Sequence, residues 1–181
     1  MSGALRASPE ADRDVDARIH FDLTHLAPRA IACQRPDGLP PMRISVAFSH
    51  HCYTVRLDAG AGGLRVVERG DARLFDVERW ELSRAHLAGM VEALPMAVVE
   101  HTWEQRNYRF AIRAAVAGGR HYQMFFGLRR AEGPDADLRL FVESAYPIPP
   151  ASRPKGPGVI RFAVLAMKVL RGDRIGHPPR R

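Results

Sequence analysis

Several features that define common protein classes are scarce in this sequence of 181 residues. It has two cysteines, Cys33 and Cys52, and neither belongs to a C-x-x-C pair. This argues against a disulfide-rich secreted scaffold and against a zinc ribbon. The apolar run over 162–167 is far too short to cross a bilayer, and the charged segment 1–18 lacks the features of a signal peptide. These absences predict a cytoplasmic protein with no membrane partner and a reduced pair of thiols.

Lysine is scarce as well. Of 27 basic residues all but Lys155 and Lys168 are arginine, and the formal net charge is +7. Arginine forms bidentate contacts with phosphate and stacks on planar rings. A basic domain of this composition favours a nucleic-acid partner, although a GC-rich genome would produce the same enrichment in arginine, alanine, glycine and proline.

The chain has no internal repeat and no linker that would separate two domains, so its length predicts one domain. Segment 1–18 is charged and aperiodic, which predicts a disordered tail. Segment 176–181 is a second tail, and 19–175 form the single domain. Helical spacing predicts one helix over 83–94, with Ser83 as its N-cap, and another over 159–170, stopped by Gly172.

Turn signals divide the remaining sequence into β-strands. The turn at 117–119 joins strands predicted over 107–116 and 121–129, and a turn at 132–135 leads into a strand over 138–146. Another strand is predicted over 42–57. The predicted fold class is α+β: a single antiparallel sheet of four to six strands with two or three helices packed on one face.

Side chains on a strand point alternately to opposite faces. In the strand over 42–57, this places Ile44, Val46, Phe48, His50 and Cys52 on the core face and Ser45, Ser49, His51 and Tyr53 on the open face. In the later strands, the open face receives Asn107, Arg109, Arg113, His121, Gln123, Phe125, Arg139, Phe141 and Glu143. Leu138, Leu140, Val142 and Ser144 are predicted to share the core side.

Such an open face is suited to cleavage of RNA without a metal. One imidazole or carboxylate would take the proton of a ribose 2′-hydroxyl, a second group would protonate the leaving oxygen, and guanidinium groups would stabilise the charged phosphorane. Exposed rings would stack on unpaired bases. The candidate catalytic residues are His51, Glu143 and His121. The candidate substrate-binding residues are Arg109, Arg139, Tyr53, Phe125 and Phe141.

Three other interpretations use the same residues. The face could bind RNA or a protein without catalysis, or it could be an ordinary solvated surface. His50 and Cys52 could supply two metal ligands, with His101 or His121 as a third, but no set with ligand spacing completes the site. Cys52 could be a nucleophile, although a buried structural thiol is commoner. We therefore predict neither a metal nor any other cofactor.

Four stretches of the chain carry a resemblance to a known family. They are Ile44-x-Val46-x-Phe48-Ser49-x-His51-Cys52-Tyr53-Thr54, Arg73-x-Phe75-Asp76-x-x-Arg79-Trp80-x-Leu82-Ser83, Tyr122-x-Met124-Phe125-Phe126 and Leu140-x-Val142-x-Ser144-Ala145-Tyr146. They resemble a family of small bacterial proteins of uncertain function, some labelled "stationary phase growth adaptation protein", over residues 20–175. The order of helix and strands is also similar to RelE- and barnase-like RNase folds. No catalytic residue is carried over from either.

The resemblance implies a cytoplasmic bacterial stress or growth-control protein. With the open face, it leads to the hypothesis of a toxin-like, metal-independent ribonuclease. Its expected partners are RNA and an antitoxin-like protein, and an oligomer is compatible with the sequence. The alternative hypothesis is a non-catalytic RNA- or protein-binding module that uses the same basic face.

Overall fold

The computed structural model of the chain describes residues 21–58, 62–102, 109–149 and 158–175, and of Arg109 it describes the backbone alone. Within these residues the strands are β1 (Arg29–Cys33), β2 (Met42–Phe48), β3 (Thr54–Arg56), β4 (Arg65–Glu68), β5 (Asp71–Phe75), β6 (Val98–His101), β7 (Arg109–Ala115), β8 (His121–Arg130), β9 (Leu138–Ile148) and β10 (Val159–Arg161). The α-helices are α1 (Val77–Ala93) and α2 (Phe162–Arg171). The tails predicted at 1–18 and 176–181 lie outside the described residues.

The strands form two sheets. The larger has seven strands in the order β1-β2-β9-β8-β7-β6-β10, and the smaller has three in the order β3-β5-β4. The larger sheet is mixed, because β2 runs parallel to β9 while its other pairs are antiparallel. The prediction of a single antiparallel sheet of four to six strands is therefore wrong. Alternation marks a segment as a strand but does not select its partner, and β2 pairs with a strand about ninety residues further along the chain.

The N-cap of helix α1 lies seven residues before the predicted one. Asp76 is the N-cap, and its side chain accepts a hydrogen bond from the Arg79 backbone N–H at 2.8 Å. Ser83 is a buried residue inside the helix, and its hydroxyl donates to the Trp80 carbonyl at 2.7 Å. An aspartate and a serine are both good caps. The ring contacts of Trp80 with Phe21 and Phe75, and the packing of Leu82 against the core, favour the earlier cap.

Helix α2 is shorter than predicted, because Val159–Arg161 form the edge strand β10. Its end was predicted correctly. Gly172 follows the last turn with φ of 74°, and its N–H and that of Asp173 bond the carbonyls of Val169 and Lys168. This is the left-handed C-terminal cap that favours glycine.

Both helices pack on the face of the large sheet that carries Tyr122 and Phe126. Leu87 of α1 and Leu165 of α2 are fully buried in the same apolar cluster, and the Phe126 and Phe162 ring centres lie 6.0 Å apart. Burying one such side chain contributes roughly 1.5–3 kcal/mol. Neither helix of the described residues is long and apolar enough to cross a bilayer.

The alternation predicted for β9 holds as far as Val142 and then changes. Leu138, Leu140 and Val142 are buried, but the next buried residue is Ala145 and not Ser144. The pairing with β8 shifts between Phe125 and Phe126, so that Ser144 opposes Phe125 on the outer side. The prediction that Ser144 faces the core is wrong, because a β-bulge inserts one residue and reverses the alternation beyond it.

Candidate functional site

The segment predicted as one strand over 42–57 is interrupted at the histidines. His50–Cys52 form a 3-10 turn, and the Ser49 hydroxyl accepts the His51 N–H at 3.2 Å. The Ser49 N–H donates to the Val142 carbonyl, after which the chain leaves the large sheet and enters the small one. The prediction that Ser49, His51 and Tyr53 continue the open face of a strand is therefore wrong.

The end of the large sheet near β2, β9 and β8 does present an open face. Arg139 opposes Ser45 on one side and Arg129 on the other, and Phe141 lies in the next row of the same face. Arg129, Arg139 and Phe141 are exposed. A pocket of about 530 Å³ adjoins this row, lined by Arg43, Ser45, β1 and the loop at 131–136. We call Arg43, Ser45, Arg129, Arg139 and Phe141 the arginine face.

Other residues of the predicted substrate site lie elsewhere or are covered. Tyr53 is 8 % exposed and packs against Phe75, with ring centres 6.0 Å apart, so it cannot stack on a base. Phe125 is half-buried and stacks on Tyr146 at 5.3 Å. The backbone of Arg109, in β7, pairs with Gly127 of β8. The side chain of Arg109 is not part of the described structure.

The predicted catalytic residues do not converge on one phosphate. His121 opposes Ile148 at the start of β8, whereas Arg139 opposes Arg129 near its end. Eight residues of strand separate these two pairs, which is roughly 26 Å at about 3.3 Å per residue. Glu143 lies at the bulge between them and is half-buried. His51 belongs to a different group of side chains, described next.

His51 lies in a cluster with His50, Asp71 and Glu68. The Nε2 atoms of His50 and His51 lie 3.1 and 3.0 Å from the same atom, Asp71 Oδ2. The Nδ1 atom of His50 lies 3.0 Å from Glu68 Oε2. We call these four residues the histidine cluster.

Local structure explains how the cluster assembles. Glu68 and Asp71 are paired across the β4–β5 hairpin, whose two-residue turn is Arg69-Gly70. Both turn residues have positive φ, 51° and 84°, as a tight hairpin turn requires. The turn thus places two carboxylates side by side, and the 3-10 turn at 50–52 directs both imidazoles toward them.

The surroundings affect the ionisation of the exposed members. Partial burial lowers the pKa of His51, while the hydrogen bond to Asp71 acts in the opposite direction. The hydrogen bond from His51 lowers the pKa of Asp71, with further contributions from His50 and Arg73. The Asp71 carboxylate is therefore ionised at neutral pH and available to a proton donor or a cation.

Comparison with known proteins identifies the family. The family model described as the YjaZ family matches residues 15–170. This chain belongs to the YjaZ family. Protein YjaZ of Escherichia coli (strain K12) is 30% identical to it over 165 residues, which cover 87% of this chain and 88% of the relative. No solved structure matches the chain.

Membership of the YjaZ family corrects the resemblance drawn from the sequence motifs. The match over 15–170 is to this family and not to a "stationary phase growth adaptation protein" family. The likeness to RelE- and barnase-like RNase folds is also wrong, because it depended on the order of one helix and antiparallel strands. The parallel β2–β9 pair and the second sheet depart from that arrangement.

The histidine cluster of this YjaZ-family chain borders a pocket that the sequence analysis missed. The pocket has a volume of about 590 Å³ and is lined by residues of 21–28 together with Phe48, Ser49, His50, Tyr53 and Glu68. The signal that could have indicated the cluster is Glu68-Arg69-Gly70-Asp71, a tight-turn sequence with a carboxylate on each side. Only the fold brings that hairpin to the histidines.

Proposed function

We propose that this chain binds single-stranded RNA through the arginine face. The observation that carries the proposal is the pair Arg129 and Arg139, which lie directly opposite each other on β8 and β9 and are both exposed. Among the described residues, neither guanidinium has a hydrogen bond or an ion pair with a carboxylate. Like charges placed directly opposite destabilise a sheet, and a bound phosphate would offset that repulsion.

Phe141 adds a base-binding element next to the charges. It shares the outer face with Arg139 two residues away, a separation of about 6.6 Å along a strand. Phe141 is 38% exposed, which leaves much of its surface in contact with solvent. A ring beside guanidinium groups suits an unpaired base next to its phosphate, since base stacking on aromatic rings tolerates any sequence.

The binding hypothesis is better supported than the ribonuclease hypothesis. Cleavage requires a base, an acid and a charge-stabilising group around one phosphate. His121 and Arg139 stand near opposite ends of β8, and His51 is hydrogen-bonded to Asp71 in the histidine cluster. The roles in stress or growth control, the antitoxin-like partner and the cytoplasmic location stay predictions.

The test measures the anisotropy of a short fluorescent single-stranded RNA titrated with the protein. Between about 50 and 200 mM KCl the affinity should fall steeply, because bound counterions are released from the phosphates. Arg139→Ala should weaken binding and reduce the salt slope by about one. Phe141→Ala should weaken binding without changing that slope.

Arg65→Ala is the matched control, because Arg65 is an exposed strand arginine of the small sheet. It should bind as the wild type does. The proposal is wrong if the RNA does not bind at low salt, or if Arg65→Ala weakens binding as much as Arg139→Ala. If the wild type cleaves the RNA in the presence of EDTA and His51→Ala does not, the result would instead support the ribonuclease hypothesis.

A further inference from the structure

We propose that His50, His51 and Asp71 bind a divalent transition-metal ion, at a site separate from the arginine face. The three ligand atoms, two imidazole nitrogens and one carboxylate oxygen, lie within 4.8 Å of one another. Two histidines and one carboxylate form a familiar metal-binding set that leaves positions open for water or a substrate.

The distances suit an ion at the centre of the cluster. Each imidazole Nε2 lies 3.0–3.1 Å from Asp71 Oδ2. Ligands bonded to one tetrahedral ion at about 2.0–2.1 Å are roughly 3.3 Å apart. The two imidazole–carboxylate separations therefore lie within a few tenths of an ångström of coordination geometry. The side chains of His51 and Asp71 are partly exposed and can adjust, so that the two imidazole nitrogens, which are at most 4.8 Å apart, reach the same separation.

Glu68 supports this interpretation through the other nitrogen of His50. The His50 ring is buried, and it faces Glu68 through Nδ1 at 3.0 Å and Asp71 through Nε2 at 3.1 Å. A neutral imidazole has one N–H, so it can donate to only one of the two carboxylates. With the proton on Nδ1, the Nε2 lone pair would face the oxygen of Asp71 unless a cation lies between them. A carboxylate that orients a ligating histidine in this way is typical of metal sites.

In the competing interpretation, protonation of the imidazoles accounts for the contacts of the cluster without a metal ion. If His50 is an imidazolium, both of its nitrogens donate, and no metal is needed. Arg73 also favours a metal-free cluster, because its Nη1 atom lies 3.9 Å from Asp71 Oδ2 while its Nε donates to Thr54 Oγ1. A metal ion would compete with that guanidinium for the Asp71 carboxylate. Replacing Arg73 by leucine should therefore tighten metal binding.

The ligand atoms indicate which ions would bind, and the exposure of the side chains indicates how an ion would enter. Imidazole ligands suit Zn²⁺, Co²⁺, Ni²⁺, Cu²⁺ and Fe²⁺, whereas Mg²⁺ and Ca²⁺ prefer oxygen ligands only. His51 and Asp71 have side-chain exposures of 36% and 48%, so an ion can enter from solvent. Cys52 takes no part, because it is fully buried in the apolar cluster.

The test is a titration of the metal-free protein with Co²⁺, followed by visible absorption, and with Zn²⁺, followed by calorimetry. The wild type should bind one equivalent with the d–d bands of a Co²⁺ ion ligated by nitrogen and oxygen. His51→Ala and Asp71→Asn should each remove those bands and that equivalent. Glu68→Gln should weaken binding by about 10–100-fold.

His121→Ala is the matched control, because it removes an imidazole that is not one of the clustered ligands, and it should bind as the wild type does. Circular dichroism of each variant checks that it is folded. The proposal is overturned if the wild type shows no d–d bands, or if His51→Ala and Asp71→Asn bind like the wild type while folded. Because RNA binding is measured separately, failure of one proposal does not decide the other.

Discussion

The Nε2 atom of His25 lies 2.7 Å from the hydroxyl of Ser83, a residue of α1. Because that hydroxyl donates its own proton to the Trp80 carbonyl, it accepts the one on His25 Nε2. Nδ1 therefore carries the lone pair, and it is buried with no hydrogen-bond partner among the described residues. The contact ties the segment before β1 to α1 through a neutral imidazole.

This arrangement predicts a loss of stability in mild acid. Burial lowers the pKa of His25 from its usual 6.5, and the charges of Arg84 and Arg29 act in the same direction against Asp22. The unfolded chain therefore binds a proton at a higher pH than the folded chain does. The free energy of unfolding should decrease as the pH falls below about 6.5, where the unfolded imidazole becomes charged first.

Urea unfolding of the wild type and of His25→Gln at several pH values between neutral and mildly acidic measures this effect. The glutamine amide can still donate to Ser83 but does not titrate in this range. The difference in unfolding free energy between the two proteins should therefore change with pH below about 6.5 and be constant above it. A difference that is the same at every pH would show that His25 does not contribute to acid sensitivity.

The thiol of Cys52 should be inert in the folded protein. Burial raises its pKa to about 12, so almost none of it is thiolate at neutral pH. Cys33 is also buried, and burial raises its pKa as well. Because the thiolate is the reactive form, a disulfide reagent should label neither cysteine in the native state and both after unfolding in urea. Rapid labelling of native Cys33→Ser would show that Cys52 is reactive and restore it as a candidate nucleophile.

Two helical glycines should respond in opposite directions to alanine. Gly172 has φ of 74° at the C-terminal cap of α2, a conformation that an alanine adopts only with strain. Gly89 lies inside α1, and a Cβ there would meet nothing within 4 Å. Gly172→Ala should therefore destabilise by about 1 kcal/mol, and Gly89→Ala should stabilise by up to about 1 kcal/mol.

Thermal unfolding of both glycine variants in parallel tests this pair of predictions. Each alanine serves as the control for the other, because both changes add one methyl group, one inside a helix and one at a helix cap. A loss of stability in Gly89→Ala would mean that this exposed position has a contact that the fold does not reveal. An unchanged stability in Gly172→Ala would mean that alanine adopts the left-handed backbone conformation at this cap without a cost in stability.

Patterns within short stretches of the sequence correctly predicted the elements whose conformation depends on residues close in sequence. The turn at 117–119 joins β7 and β8, with Gly118 and Gly119 both at positive φ. The buried side of β8, which carries Tyr122, Met124 and Phe126, follows from alternation alone. The start of α1 was misplaced because Ser83 is as good a cap by type as Asp76, and only packing distinguishes them.

The candidate sites depended on contacts that no local pattern contains. Alternation assigned His51 to a strand, but its N–H donates to the Ser49 hydroxyl and the chain forms a 3-10 turn there. The bulge near Ser144 is a property of the β8–β9 pair and not of either strand. Glu68 and Asp71 join the histidines because the small sheet folds back onto the 3-10 turn at 50–52.

The sequence by itself determined the turn at 117–119, the end of α2 at Gly172, which side of most strands is apolar, and that the surface would be rich in arginine. Those properties arise from backbone dihedral preferences and from side chains a few residues apart, so a short window contains them. The tertiary structure alone decided that β2 lies parallel to β9, that Arg129 faces Arg139, and that two imidazoles share one carboxylate oxygen. Partners distant in sequence are selected by the burial of the whole apolar surface, to which every element contributes at once.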